Sequence, residues 1–118
     1  MKRILIISLI LLTACSTHNK EKVDELELIS ISKELDAIDL KITQILINLD
    51  DDTISQEGKT TLLCDDFQKL YKDEYIPKSL KYGNATGHVE SEAQYLIDLH
   101  NIIEKKKKKL NINCSADS

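Results

Sequence analysis

The strongest structural constraint in this sequence is a run of aliphatic residues that repeats every three and four positions. This repeat predicts a long amphipathic helix over residues 23–49, because its members fall on one face of an α-helix. No polar residue interrupts that face, so other helices are needed to cover it. We name these positions the seam: Leu28, Ile31, Leu35, Ile38, Ile42, Ile45 and Leu49.

A second set of aliphatic residues lies on the opposite face of the same predicted helix. Leu26, Leu40 and Ile47 occupy equivalent heptad positions, Lys33 breaks the series, and Ile29 lies beside them. We name the four aliphatic residues the outer stripe. One seam is enough to dock a helix, so a second apolar face indicates a binding partner. The alternative is that these are scattered exposed side chains, which are common on protein surfaces.

Two further helices are predicted after the first. The second begins at residues 55–58 and ends at residue 71 or 72. The third spans residues 89–110, with acidic residues in its first turn and lysines in its last, as the helix dipole favours. No segment alternates with period two, so the predicted fold class is all-α. The expected inner face of the third helix consists of Val89, Ala93, Leu96, His100 and Ile103, with Leu99 alongside.

The segment Asp73–Gly87 is predicted to be a loop. It contains the only proline, Pro77, and two of the three glycines, and the residue before a proline is disfavoured in helical geometry. A short helical turn around Ser79 is compatible with this loop. Tyrosine is favoured at recognition surfaces, so Tyr75 and Tyr82 are candidate binding residues. The alternative is that both rings cover the open end of the core.

The N-terminus carries a pattern that is typical of export. A short cationic head precedes an apolar run over residues 4–12, which is too short for a transmembrane helix of about 20 residues. The tetrad Leu12-Thr13-Ala14-Cys15 resembles the bacterial lipobox. This resemblance implies a signal peptide over residues 1–14, and a diacylglycerol and an N-acyl chain on Cys15. Two or three acyl chains give a lasting membrane anchor, and no other cofactor is expected.

The rest of the chain divides into a tether and one domain. Residues 15–22 are polar and read as a lipidated tether, and residues 23–118 as a single helical domain. Ser16 after the cysteine resembles the outer-membrane sorting pattern of Gram-negative lipoproteins. It implies a location at the outer membrane facing the periplasm, with exposure at the cell surface left open.

Lipid on Cys15 leaves Cys64 and Cys114 as the remaining cysteines. An exported chain meets an oxidising compartment, where such a pair is expected to form a disulfide. That bond places the start of the second helix beside the end of the third. The predicted fold is therefore an up-down-up three-helix bundle with a long first helix, clamped at one pole. A catalytic or metal-binding thiol pair is the alternative, although the sequence has no CxxC motif.

Several function classes find little support in the residues. Arg3 is the only arginine, which argues against nucleic-acid binding, since that function relies on arginine and basic surfaces. No nucleophile elbow or glycine-rich phosphate loop is present, so no enzyme is expected. The acidic residues 50–52 and 65–66 lack the calcium-loop pattern. They are expected to balance the lysine run 105–109; contact of those lysines with anionic lipid is the alternative.

These features predict a membrane-anchored, non-enzymatic helical lipoprotein. We expect it to bind another envelope protein, or a second copy of itself, through the outer stripe. One alternative is an immunity, exclusion or inhibitor lipoprotein that acts against a toxin, a phage or a conjugation apparatus. Its small size, export and lack of catalytic motifs fit that class equally well. A second alternative is a carrier of a small ligand in a gap between helices.

Overall fold

The computed structural model describes residues 24–88 and 90–115, which form three helices and no strand. We label them α1 (Glu25–Leu49), α2 (residues 56–86) and α3 (Glu92–Leu110). The all-α prediction is confirmed for these residues. The proposed lipidation residue Cys15 lies outside them, as do the predicted signal peptide (1–14), the tether (15–22) and Val89.

The first helix forms as the seam predicts. Ile31, Ile38 and Leu49 are buried, and the other seam residues are half-buried. Asp24 precedes the helix, and its carbonyl accepts a hydrogen bond from the Leu28 amide at 3.0 Å. The Asp24 side chain makes no capping hydrogen bond. The inward face of α1 therefore follows the aliphatic repeat from its first turn to its end at Leu49.

The second helix is longer than expected, and the predicted loop at Asp73–Gly87 is wrong. Helical geometry continues from residue 56 to residue 86, with Tyr75 and Tyr82 inside it. Ser55 caps its start by accepting a hydrogen bond from the Gly58 amide at 3.0 Å. It is α-helical at Gln56–Thr61, Gln68–Leu70 and Ile76–Thr86, and π-helical at Leu62–Phe67 and Tyr71–Tyr75.

Pro77 does not break α2 because a π-helical turn comes just before it. Hydrogen bonds in a π-helical turn join residues five apart, whereas those in an α-helix join residues four apart, so the π-helical turn contains one extra residue. The shift in register places Pro77 in the first turn of Ile76–Thr86, where a missing N–H costs little. The helix ends only at Gly87, which adopts the left-handed conformation with φ of 81°.

The third helix lies close to its predicted bounds. It begins at Glu92, where Ser91 caps it by accepting a hydrogen bond from the Gln94 amide at 3.1 Å. It ends at Leu110 and is followed by Asn111, a left-handed residue with φ of 52°. The chain then folds back, so that Ile112 is buried and its amide donates to the Lys107 carbonyl at 3.0 Å.

The predicted inner face of α3 is wrong in its rotation about the helix axis. Leu99 and Ile103 are buried as expected, whereas Leu96 and His100 are exposed, and so is Ala93. Tyr95 instead turns inward, where its ring packs against an aromatic ring of α2. The inward face of α3 therefore consists of Tyr95, Leu99 and Ile103.

One hydrophobic core contains residues from all three helices and the disulfide. Leu49, Leu63 and Phe67 are almost fully buried there. Cys64 and Cys114 pack against this core as a disulfide, with their Cα atoms 5.6 Å apart. The predicted pairing is confirmed. The other buried members of the core are Tyr71, Ile76, Leu99, Ile103 and Ile112.

Ion pairs line the contact between α1 and α2, and the sequence reading did not anticipate them. The α1 members are seven residues apart, so they lie along one edge of the seam. As the residue number rises on α1, the number of the partner residue on α2 falls. The pairs are Glu27–Lys81, Glu34–Lys78 and Lys41–Glu74.

Candidate functional site

The outer stripe is the first candidate site, and the structure leaves it uncovered by the described residues. Leu26 is 74% exposed, Leu40 73%, Ile47 57% and Ile29 47%. On the opposite face of the same helix, Ile38 is only 3% exposed. The helix α1 therefore has two apolar faces, and packing within the described residues accounts for one of them.

The second candidate is a cleft of about 540 Å³ between the three helices. Tyr75 and Tyr82 of α2 and Tyr95 of α3 line it, together with Leu35 of the seam. We name it the tyrosine cleft. Its size falls in the range of small-molecule sites, roughly 300–1,000 Å³. Its polar lining residues are Asp39, Ser79, Thr86, His88 and Glu90.

Ring packing connects two of the three tyrosines of the cleft, Tyr75 and Tyr95, to the hydrophobic core. The chain of contacts starts at Phe67 in the core, whose ring centroid lies 5.8 Å from that of Tyr71. Tyr71 contacts Tyr75 at 4.7 Å, and Tyr75 meets Tyr95 edge to face at 6.1 Å with an angle of 84°. Each pair contributes about 0.5–1.5 kcal/mol beyond area burial. The cleft thus has aromatic walls that continue directly from the hydrophobic core.

A close backbone contact joins two residues that line the tyrosine cleft. Gly83 is buried on α2, and its carbonyl accepts a hydrogen bond from the His88 amide at 2.9 Å. The His88 carbonyl lies so near the Gly83 Cα that a Cβ would overlap it. Only glycine allows this return of the chain, which brings His88 and Glu90 to the cleft.

Burial, with a smaller contribution from nearby acidic groups, disfavours ionisation of the Tyr71 and Tyr95 hydroxyls. Burial, followed by the neighbouring Tyr75 and the carboxylate of Asp98, raises the pKa of Tyr71 to about 12. Burial is also the main cause that raises the pKa of Tyr95, and the Glu90 carboxylate adds to it. Desolvation and nearby negative charge both disfavour a phenolate. These tyrosines therefore stay protonated over the physiological pH range.

The structure brings together two of the predicted site residues that lie far apart in the sequence. Ile29 of the outer stripe and Tyr82 line a smaller cleft of about 340 Å³, which also includes Lys33 and Thr86. Tyr82 and Thr86 line both clefts, so the two are adjacent. Leu40, by contrast, lines neither of them, and nor does Ile47 at the far end of α1.

Among the residues that line the tyrosine cleft, sequence reasoning proposed only Tyr75 and Tyr82 as binding residues, and it missed Tyr95 and both carboxylates. Tyr95 was overlooked because the predicted face of α3 was rotated, and Asp39 and Glu90 because each looked like an ordinary solvated acid. One signal was available. Tyr71, Tyr75 and Tyr82 are spaced by four and seven residues, which places them on one face of a continuous helix.

Of the acidic residues 50–52 and 65–66, Asp50 pairs with the lysine run 105–109 as expected. Asp50 pairs with Lys109 at 3.3 Å and with Lys106 at 3.7 Å. The hydrogen bond from Lys109 and the charge of Lys106 lower the pKa of Asp50. Asp51 instead accepts hydrogen bonds from Thr53. Among residues 24–88 and 90–115, no group of His, Cys, Asp or Glu side chains is arranged to hold a metal ion.

Comparison with known proteins found no relative of this chain. No family model, curated protein or solved structure matches it. Within the described ranges, none of the helices combines the length and hydrophobicity needed to cross a bilayer. Function must therefore be argued from the geometry and chemistry of the two candidate sites.

Proposed function

We propose that this chain is a membrane-anchored, non-enzymatic interaction module that binds another protein of the cell envelope through the outer stripe. Lipid on Cys15 would hold the module at the membrane, with the short tether 15–22 keeping it close to the surface. In this proposal the helices form an up-down-up bundle, and the outer stripe is the face of α1 that points away from it. A second copy of the chain is an alternative occupant of that face.

The observation that carries this proposal is the exposure of the outer stripe. An exposed leucine on its own needs no explanation. Leu26 and Leu40, however, are both nearly three-quarters exposed, and Ile47 adds a third large side chain on the same face. At about 1.5 Å per residue the three span roughly 30 Å of α1. A strip of this length matches an amphipathic helix laid along the surface of α1.

Lys33 adds a specificity element to this face. It occupies the one equivalent heptad position at which the aliphatic series is broken. A charged residue within an apolar helix interface fixes the register of the partner at some cost in affinity. We expect a partner helix with aliphatic residues at heptad spacing and a carboxylate opposite Lys33.

Crosslinking in intact cells tests the proposal. The full-length protein is compared with the triple variant Leu26→Gln, Leu40→Gln, Ile47→Gln, and crosslinked partners are isolated by pull-down. We expect the triple variant to lose its main crosslinked species. The matched control is Leu96→Gln with Ile97→Gln, which makes the same chemical change at exposed aliphatic residues of α3.

The outcome separates the two occupants. Mass spectrometry of peptides from the crosslinked species decides: peptides of this chain alone identify a second copy, and peptides of another sequence identify a different protein. If the triple variant keeps every crosslinked species and the same oligomeric state, the outer stripe is not an interaction surface. Circular dichroism of both variants checks that their helices are intact.

The tyrosine cleft favours a second candidate function, that of a small-ligand carrier. It combines aromatic walls with a few polar groups, as ligand pockets commonly do. Native mass spectrometry of the protein extracted from its membrane tests this directly. A bound small molecule that is lost in a Tyr82→Leu variant supports the carrier. A protein that is free of any bound molecule, and that takes up none from a cell extract, excludes it.

A further inference from the structure

The tyrosine cleft has an unusual concentration of aromatic surface for this chain. The sequence contains four tyrosines and no tryptophan, and Tyr75, Tyr82 and Tyr95 all line this one cleft. The face of an aromatic ring carries negative charge density, so it attracts a cation that approaches within about 6 Å of the ring centroid. Three rings around one volume are suited to holding a compact cation on several sides.

The charges of the cleft favour the same kind of ligand. Two carboxylates, Asp39 and Glu90, are among the described residues that line the cleft. No lysine or arginine is among those described lining residues, so no such cation opposes the two carboxylates there. Lys78 and Lys81, which neighbour Ser79 and Tyr82 in sequence, pair with acids of α1. A carboxylate beside aromatic faces favours a cation over a neutral or anionic molecule.

We propose that the tyrosine cleft binds a small organic cation with an alkylated ammonium head, such as a trimethylammonium group. The alkyl groups contact the rings of Tyr75, Tyr82 and Tyr95, while the positive charge is balanced by Asp39 and Glu90. A bare ammonium is less suited because it is strongly hydrated and loses more on entering an apolar site. A trimethylammonium compound would be the ligand of the proposed carrier function, and the inference rests on that function only in that both place a small molecule in the cleft.

A pair of probes of nearly equal shape tests the charge requirement. The full-length protein is titrated with choline and with its neutral isostere 3,3-dimethylbutan-1-ol. With no tryptophan in the chain and most of its tyrosines in the cleft, tyrosine fluorescence reports the site, and calorimetry measures the affinity. We expect choline to bind with saturation and the isostere to bind at least about tenfold more weakly. Tetramethylammonium should compete with choline.

Variants then locate the site. Asp39→Asn removes one charge at an exposed position, and Tyr82→Leu removes an aromatic face; each should weaken choline binding by about tenfold. Tyr82→Phe keeps the ring and should retain most of the affinity. Asp65→Asn, an equal charge change at an exposed residue away from the cleft, and the outer-stripe triple variant should both bind choline as the unmodified protein does.

Any of three results would overturn the proposal. The first is that neither choline nor tetramethylammonium binds with saturation, and the second is that the neutral isostere binds as tightly as choline. The third is that both single variants, Asp39→Asn and Tyr82→Leu, keep full affinity for choline. If Tyr82→Leu fails to fold, Asp39→Asn and the isostere comparison still decide. Native mass spectrometry that finds a neutral molecule in the cleft would keep the carrier function and reject the cation.

Discussion

Gly83 and His88 are joined by a hydrogen bond and by direct backbone contact. The His88 amide donates to the Gly83 carbonyl at 2.9 Å, and the His88 carbonyl occupies the space of a Gly83 Cβ. This contact turns the chain at the end of α2 and brings His88 and Glu90 to the tyrosine cleft. The positions of His88 and Glu90 in the cleft therefore depend on a glycine at residue 83, near the end of α2.

Gly83→Ala is expected to destabilise the protein and to distort the cleft. The new Cβ overlaps backbone, which cannot move aside as a side chain end can, so a loss of about 1–3 kcal/mol is expected from overpacking. Urea unfolding of the full-length protein measures this loss. Asn84→Ala, at the exposed neighbouring position, should change stability by less than about 0.5 kcal/mol. Equal stability of the two variants would contradict the close contact.

Loss of the Cys64–Cys114 disulfide should lower stability strongly. The bond joins residues separated by 50 positions, for which the chain-entropy model gives about 4 kcal/mol. The variant Cys64→Ser with Cys114→Ser should unfold at a much lower urea concentration. Adding reductant should shift the unmodified protein to the same midpoint and leave the variant unchanged. If neither the double substitution nor the reductant changes the urea midpoint, the bond contributes little to stability.

Leu49 and Ile47 provide a matched pair on opposite faces of α1. Leu49 is 0% exposed and Ile47 57%. Leu49→Ala opens a cavity in the core and is expected to cost about 2–5 kcal/mol. Ile47→Ala should change stability by no more than about 0.5 kcal/mol, since alanine is also the better helix former. A large loss at Ile47 would mean that the outer stripe contributes to the fold of the isolated chain.

The parts of the fold that depend on local periodicity or on simple chemistry were predictable from the sequence. The repeat from Leu28 to Leu49 is regular enough to define both the extent of α1 and its buried face. The Cys64–Cys114 bond followed from an even number of remaining thiols in an expected oxidising compartment. Exposure of the outer stripe followed from its position opposite the seam. Each of these inferences needed only one segment or one pair of residues.

The parts that depend on long-range packing were not predictable. Pro77 looked like a helix end, whereas α2 continues past it directly after the π-helical turn at Tyr71–Tyr75. That turn ends at Tyr75, whose ring meets Tyr95 of α3, a contact between helices that single-segment reasoning does not contain. The tyrosine cleft was missed for a related reason, since its lining comes from all three helices and from the turn after α2.

The raised pKa of Tyr71 predicts a loss of stability at alkaline pH. Its hydroxyl ionises near 10.0 in the unfolded chain and near 12 in the folded protein, mainly because the ring is buried. A group whose folded pKa is raised stabilises the native state fully below the unfolded pKa. That contribution disappears as the pH rises from about 10 towards 12.

Tyr71→Phe isolates this contribution from the titration of other groups, because it removes the hydroxyl and keeps the ring in the core. Urea unfolding of both proteins at neutral pH and above pH 10 measures the difference, and phenolate absorbance should show that the variant lacks the last tyrosine to ionise. The unmodified protein should lose more stability over this interval than the variant does. Equal losses would show that Tyr71 ionises alike in the folded and unfolded chains.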